Sequence, residues 1–390
     1  MPPMPSRIVV VTSDVFVRRL TPTLAAFVRS ERDFRVIDIH RPLPELCRLV
    51  RANRPAAVIT EWLPGITEAI LGLGCPAVVA GTGKRFPGAV SIDVNDERVG
   101  ETAARFFLDS GYRHFGCVGL GTDYSAERRD GFRACLERHG AACHDFRQPE
   151  PRGMQYMESW HDPPPALRAW LRRLPKPAGI FAAHDPLGRL VCEAALAERL
   201  QIPGEIAVVG ANNDELVCGL TCPPLSSVAI PWARLGALAG QWAQALIEGT
   251  PAPPEALLVE PGPVAVRQST ALTAVDDPEL RRALHYLRER SAREISIGSL
   301  CKELRLSRRS LERKFAAILH STPWETLCRI RIESARRLLL ETDLPMALIA
   351  ERCGFGNPER FSVVFRRQTG GSPGAFRKAG RGSPAPPSAK

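Results

Sequence analysis

The sequence has no apolar run approaching the ~20 residues that a membrane-spanning helix needs. Its first residues, MPPMPSRIVVV, enter a strand pattern with neither a long apolar core nor a small-residue cleavage site. That beginning predicts no signal peptide, no membrane partner and a cytoplasmic address. There is no Cys-x-x-Cys pair either: the eleven cysteines are odd in number and irregularly spaced, with Cys218 and Cys222 the closest two. Such spacing argues against a zinc site or a disulfide framework. The thiols are expected to act as small apolar side chains in a reducing compartment, with no metal bound. No Gly-rich phosphate loop, nucleophile elbow or metal-spaced His/Cys set occurs, and Gly81-Thr82-Gly83-Lys84 lacks the full phosphate-loop spacing and is expected to form a turn. No catalytic residue, no cofactor and no enzymatic activity are therefore expected.

What is abundant is proline, 35 residues, many in short clusters suited to turns and linkers, and positive charge, with a net +10. The charge is informative once located. Residues 276–390 carry 23 Lys+Arg against 13 Asp+Glu, so the whole excess lies there and residues 1–275 are neutral. A neutral part joined to a basic one points to a polyanion partner, double-stranded DNA or a charged surface, and the residue pattern must decide which.

Residues 7–275 alternate strand-like and helix-like segments. Strands are predicted at Arg7–Thr12, 34–39, 56–60, 76–80, 115–118, 179–183 and 206–209. Helices are predicted up to about residue 30 and at 45–53, 97–110, 126–139 and 186–199. Alternation of this kind implies parallel sheets covered on both faces. The length exceeds one ordinary sheet, so two similar α/β lobes with a cleft between them are expected. The polar, Pro-containing stretch TALTAVDDPE marks a boundary, and beyond it no strand pattern appears.

The basic part reads differently. Ile297, Leu300, Cys301 and Leu304 make one helical face, Arg305-Leu306-Ser307 breaks it, and Ser307 can cap a second helix whose buried stripe is Leu311, Phe315 and Ile318. The other face of that helix carries Arg308, Arg309, Glu312, Arg313 and Lys314. Two short helices with a three-residue turn and a basic second helix form a helix-turn-helix. The pattern then repeats. A long helix over residues 321–341 and a short one over 345–353, stopped by Gly354, lead to Asn357-Pro358, an N-cap and a first-position proline. The helix that follows buries Phe361, Val364 and Phe365 and can expose Glu359, Arg360, Ser362, Val363, Arg366 and Arg367. Arg309 and Arg360 lie 51 residues apart, and the long helix between them can brace two recognition helices against successive major-groove segments, ~34 Å apart. The residues expected at DNA are Arg308, Arg309, Glu312, Arg313, Asn357, Glu359, Arg360, Ser362 and Arg366. Arginine there can pair bidentately with guanine and Glu312 can accept from a cytosine amine, with phosphate contact or solvation as the alternative for each.

These residues resemble the AraC/XylS DNA-binding domain over about residues 295–378. The resemblance is carried by LSRRSLERKF at 306–315, by Arg331, Ala335 and Leu338-Leu339, by Ile349-Ala350 and Cys353-Gly354-Phe355, and by Phe361-Ser362, Phe365-Arg366-Arg367 and the ending GSPGAFR. The α/β part, over about residues 7–268, resembles the ligand-binding domain of LacI/GalR regulators and periplasmic sugar-binding proteins. Ile92-Asp93 with Gly100, SGYRHF at 110–115, SAERRDGF at 125–132, IFAAHD at 180–185, IAVVG at 206–210 with Asn212-Asn213, and PLSSV at 224–228 carry that likeness. It implies a small polyol held between two lobes at strand C-termini, with Arg128, Asp185 and Asn212 as matching contacts. The sequence departs from that family with Asn212 where an Asp is usual and His184 where an Asn is usual. Ser13 and Asp14, after the first strand, can also line the cleft or can form an N-cap with a first-turn acid.

The expected architecture is an α/β two-lobed periplasmic-binding-protein-like sensor domain followed by an all-α double helix-turn-helix domain. Its parts are an N-terminal extension (1–6), the sensor (7–269), a linker (270–280), the DNA-binding domain (281–379) and a disordered tail (380–390). The resemblance implies a homodimeric transcription regulator. Its effector would be a D-xylose-like monosaccharide, and it would act on sugar-utilisation genes through RNA polymerase if it activates them. Two other classes fit less well. A phosphorylation-controlled response regulator needs an acidic cluster after the first strand and an Asp after the third, where Asp14 and Thr60-Glu61 stand. A regulator fused to an enzyme needs a catalytic motif that is missing.

Overall fold

The computed structural model describes residues 7–13, 16, 18–20, 23, 33–147, 163–270, 277–293, 295–319 and 321–381. The N-terminal extension, Asp14, most of the helix expected up to residue 30, and most of the expected linker and tail lie outside them. The chain divides into two compact units, one including residues up to Asn95 together with Pro231–Glu260, the other comprising Asp96–Ile230 and Pro261–Arg377.

The first unit is built on a six-stranded sheet. Its strands are β1 (Arg7–Thr12), β2 (Asp33–Asp38), β3 (Ala57–Glu61), β4 (Ala77–Ala80), β5 (Ala89–Val94) and β11 (Leu257–Val259), in the order β11-β5-β4-β3-β1-β2, with every pairing parallel. Helices α1 (Leu43–Ala52), α2 (Ile66–Leu71) and α8 (Trp232–Ile247) belong to it. The central strands AVVA and AVSIDV are buried at every residue, as a parallel sheet covered on both faces requires, whereas the edge strand β2 buries only Ile37 and exposes Arg35, Val36 and Asp38. Helix α8, apolar around much of its circumference, buries eight residues from Leu235 to Ala245.

The second unit begins with a sheet of the same topology. Its strands are β6 (His114–Gly119), β7 (Cys143–Arg147), β8 (Ala178–Ala182), β9 (Ile206–Asn212), β10 (Ser226–Ala229) and β12 (Val264–Ala265), ordered β12-β10-β9-β8-β6-β7 and parallel except for β12 against β10. Its helices are α3 (Asp96–Asp109), α4 (Asp123–Arg138), α5 (Pro165–Arg173), α6 (Asp185–Ala197) and α7 (Glu215–Leu220). Helices α3 and α4 meet backbone to backbone. A Cβ on Gly100 would stand 1.8 Å from the Arg128 carbonyl oxygen, and one on Gly131 would stand 2.0 Å from that of Glu97. Only glycine fits either position. We expect Gly131→Ala to force the helices apart at a cost of about 3 kcal/mol. The measurement is chemical unfolding, and a loss below about 1 kcal/mol would contradict the contact.

Among the described residues, helices alone follow. They are α9 (Pro278–Glu289), α10 (Ile297–Leu304), α11 (Arg308–Leu319), α12 (Pro323–Glu341), α13 (Met346–Arg352), α14 (Pro358–Thr369) and α15 (Pro373–Arg381). Helix α9 starts inside the stretch expected as linker, and Leu280 is fully buried, so the helical domain begins earlier than the composition suggests. Helix α15 likewise runs into the expected tail. Two small cores form here. Leu280, Leu284, Leu287, Leu300, Leu311 and Phe315 make one, and Ile349, Ala350, Phe355, Phe361 and Phe365 make the other. Helix α12 serves both, giving Leu327 to the first and Ile332, Ala335 and Leu339 to the second.

No disulfide joins any of the eleven cysteines, and burial pushes the thiols of Cys117 and Cys192 well above their ordinary value. Cys222 is the exception to the expectation of apolar surroundings, standing exposed. No helix among the described residues is long and apolar enough to cross a membrane.

Candidate functional site

Arg128 sits on the glycine-tight α4. The close approach of α3 brings the Asp96 carboxylate to it, and the Arg128 Nε donates to Asp96 Oδ1 at 2.6 Å. Its Nη1 donates to the Ala183 carbonyl at 2.7 Å and to Asn212 Oδ1 at 3.1 Å, and its guanidinium lies 5.1 Å from the Tyr124 ring centroid. The arginine is 4% exposed. Burial pushes the Asp96 carboxyl above its ordinary value, while the Arg128 charge pulls it back. The ion pair thus fixes a planar, multi-donor cation at the C-terminal ends of β8 and β9, where Ala183 and Asn212 lie.

Asn212 reaches this place at a backbone cost. Its φ is +105° and that of Asn213 is +51°, a region that residues with a Cβ adopt rarely. Asn213 is held by Arg267 Nη2, which donates to its Oδ1 at 2.8 Å, and by its own N–H donating to Ser227 Oγ at 2.9 Å. A carboxamide suits Asn212 because it accepts from Arg128 without adding a second buried carboxylate beside Asp96.

Asp185 is placed otherwise than its sequence position suggests. It is fully buried in the first turn of α6, with one oxygen accepting from the Asp214 N–H at 2.7 Å and the other from the Ser227 hydroxyl. Its carboxylate ties α6 to the turn after β9 and to β10, a structural task. His184 caps the same helix, its Nδ1 accepting from the Leu187 N–H at 3.2 Å, which puts the ring proton on Nε2.

In the first unit, Ser13 takes the local role that its sequence allowed. Its Oγ accepts from the Phe16 N–H at 3.3 Å, while its own N–H and Oγ donate to Glu61 at 2.9 and 2.7 Å. Asp14 lies outside the described residues. Beside Ser13 stand two aromatics that sequence reasoning passed over, Phe16 and Trp232, edge to face with centroids 5.8 Å apart. The sequence offered little to find them by, because Trp232 is more than two hundred residues away from Phe16.

The helical domain presents α11 and α14. Ser307 and Asn357 cap them, each side chain accepting from the N–H three residues on, at 3.2 and 2.7 Å. Arg308, Arg309 and Arg313 are exposed on α11; Glu312 is half-buried and pairs with Arg308 at 2.8 Å. Lys314 leaves the exposed face on which the sequence placed it and pairs with Asp277, the cap of α9, and with Glu279. Slight burial would raise the Asp277 carboxyl, but Lys314 and the backbone N–H groups of Leu280 and Glu279 outweigh it and hold it below its ordinary value. On α14, Asn357, Glu359, Arg360 and Arg366 are exposed and Ser362 is half-buried. Arg360 stacks over Trp324 at 4.6 Å.

The two halves share one register, offset by fifty residues. Phe361 and Phe365 stand fifty positions after Leu311 and Phe315, as Asn357 does after Ser307. Arg309 therefore matches Glu359, Glu312 matches Ser362, and Arg313 matches Val363.

Buried Arg331 of α12 joins the halves. Its Nε and Nη2 donate to the carbonyls of Ser291 and Arg293 at 2.9 and 2.8 Å, and its guanidinium lies near the rings of Trp324 and Phe355. Gly354, at φ +76°, brings the turn after α13 so close that a Cβ would meet the Ser291 oxygen at 2.4 Å. Nearby on the same helix Arg329 pairs with Asp109 at the end of α3, so the helical domain is ion-paired to the sheet-bearing part of its unit.

Residues 104–270 match the family of periplasmic binding protein-like domains, and residues 300–379 match a helix-turn-helix domain. A periplasmic-binding-protein-like module joined to an AraC-type pair of helix-turn-helix units defines a DNA-binding transcription regulator, and this chain is one. It is homologous to the xylose operon regulatory proteins. It is 29% identical to that of Haemophilus influenzae over 282 residues, covering 71% of this chain and 72% of the relative. With that of Escherichia coli K12 it shares 26% over 325 residues, covering 82% and 81%. The solved structure of a xylose-binding transcription activator, XylR, matches with a TM-score of 0.59 at 22% identity, over 96% of this chain and 99% of that one, a likeness of fold.

Proposed function

We propose that this regulator senses a monosaccharide of the D-xylose type through Arg128 and Asn212, and that the bound sugar alters how α11 and α14 are presented to double-stranded DNA. The observation that carries the reading is Arg128 itself, a buried guanidinium preset by Asp96 at the ends of two strands. A guanidinium donates to vicinal hydroxyls, and a carboxamide can both donate and accept. The names of the xylose operon regulatory proteins and of the xylose-binding activator XylR agree in the sugar. Asp185, with both oxygens engaged inside the protein, is left out of the contact set.

The chain acts in the cytoplasm as a homodimer, activating sugar-utilisation genes with RNA polymerase and catalysing no reaction itself. Arg308, Arg309, Arg313, Arg360 and Arg366 supply the cationic contacts. A panel of pentoses and hexoses in a thermal-shift assay tests the sensing half. D-xylose or a near epimer is expected to raise the melting temperature, and a panel without effect would overturn it.

A further inference from the structure

Val363 stands out on the face of α14 turned from the core. It is 69% exposed, two residues from each of the fully buried Phe361 and Phe365, and its neighbours on that outer face are the exposed Glu359, Arg360, Arg366 and Arg367. A branched aliphatic side chain is a poor choice there on local grounds, since it loses rotamer freedom in a helix and gains no burial in exchange. Its register partner in the first half is the exposed Arg313. The two recognition helices thus offer different chemistry at one equivalent position, a guanidinium on α11 and two methyl groups on α14.

A duplex major groove presents one strongly apolar feature, the C5-methyl of thymine, whereas a guanidinium seeks guanine O6 and N7. We infer that Val363 is a specificity-determining residue that packs against a thymine methyl. The α14 half-site then contains a required thymine, and the equivalent place in the α11 half-site favours guanine. The inference rests on the DNA-binding reading of these helices and assigns them unequal base preferences.

The test uses the full chain and duplexes it selects from a randomised library. Each thymine of the selected site is replaced in turn by deoxyuridine, which removes the methyl alone. At one thymine the wild type is expected to lose about fourfold in affinity, the worth of one buried methyl group. Val363→Ala is expected to bind the intact site more weakly by a similar factor and to ignore that same replacement, while Val363→Thr, which keeps one methyl, falls between. Because the side chain is exposed, the circular dichroism of both variants should match the wild type. If every deoxyuridine replacement affects wild type and Val363→Ala equally, the contact does not exist and the inference fails. Recovery of no enriched sequence by the wild type would instead defeat the DNA-binding reading on which it rests.

Discussion

Arg128→Met is expected to lose more than a hundredfold in sugar affinity, about 3 kcal/mol, while its sugar-free affinity for DNA stays within roughly threefold of the wild type. The first effect follows from removing the charged donor of the proposed sensing site; the second follows because the hydrogen bonds of Arg128 to Asp96, Ala183 and Asn212 hold it in the α/β part. The same change leaves Asp96 buried without its cation and should lower stability by about 3–5 kcal/mol. The sign of the pH dependence is fixed. Without Arg128, burial acts unopposed and moves the Asp96 carboxyl further above its ordinary value. A raised carboxyl leaves stability intact below the ordinary carboxylate range and erodes it as pH rises through the raised value, so acid partly rescues the variant. Adding Asp96→Asn should restore stability without restoring the response, which separates sensing from folding. Calorimetric sugar titration beside denaturant unfolding provides both readings, and a variant that binds sugar normally would remove Arg128 from the sensing site.

The second large effect lies in the helical domain. Arg331→Met strips the carbonyls of Ser291 and Arg293 of their donors and takes a guanidinium from between Trp324 and Phe355. The expected loss is about 2–4 kcal/mol, since each abandoned group gives up a charge-assisted bond. It should be local, because Arg331 is where α12, the chain before α10 and the turn at Gly354 meet. Hydrogen exchange resolved by peptide should show α12 and α14 losing protection while β6–β10 keep theirs, and DNA affinity should fall with it. Uniform protection like that of the wild type would show that the two cores hold together without this arginine.

Much of the helical domain was legible in advance, because its signals are local. The caps Ser307 and Asn357, the proline at 358, the stop at Gly354 and the stripe of Leu311 and Phe315 all lie within a few residues of what they specify. Register was the weak point. The 51 residues between Arg309 and Arg360 give the spacing of the two basic helices but no register, which the buried Leu311, Phe315, Phe361 and Phe365 set at fifty. Helix α9 was hidden by the polar residues that open it. In the α/β part, most strands rich in Val and Ile declared themselves, but β5 (AVSIDV) was passed over; β7 (CHDFR) and the two-residue β12 are too short or too polar, and α8 is too evenly apolar, to show a period.

The geometry around Arg128 was half legible for a related reason. Arg128 and Asn212 could be marked from their motifs. The carboxylate that fixes Arg128 is Asp96, thirty-two residues earlier, and its nearness depends on Gly100 and Gly131 letting two helices touch. Asp185 shows the converse. Its motif position suits a ligand contact, but each of its oxygens accepts a hydrogen bond inside the protein, from Asp214 and from Ser227, and those partners are brought in by the sheet rather than by sequence proximity.

On the proposed function, a sugar bound in the α/β part changes what the helix-turn-helix pair does on DNA. This coupling is tested most directly by fluorescence anisotropy of the full chain on a labelled duplex from its selected site, titrated with and without saturating D-xylose. DNA affinity is expected to shift by about fivefold or more, the usual size of coupling between two sites, and the shift is expected to disappear in Arg128→Met. Identical binding curves with and without the sugar, from protein shown in the same sample to bind it, would mean that sugar binding and DNA binding are uncoupled.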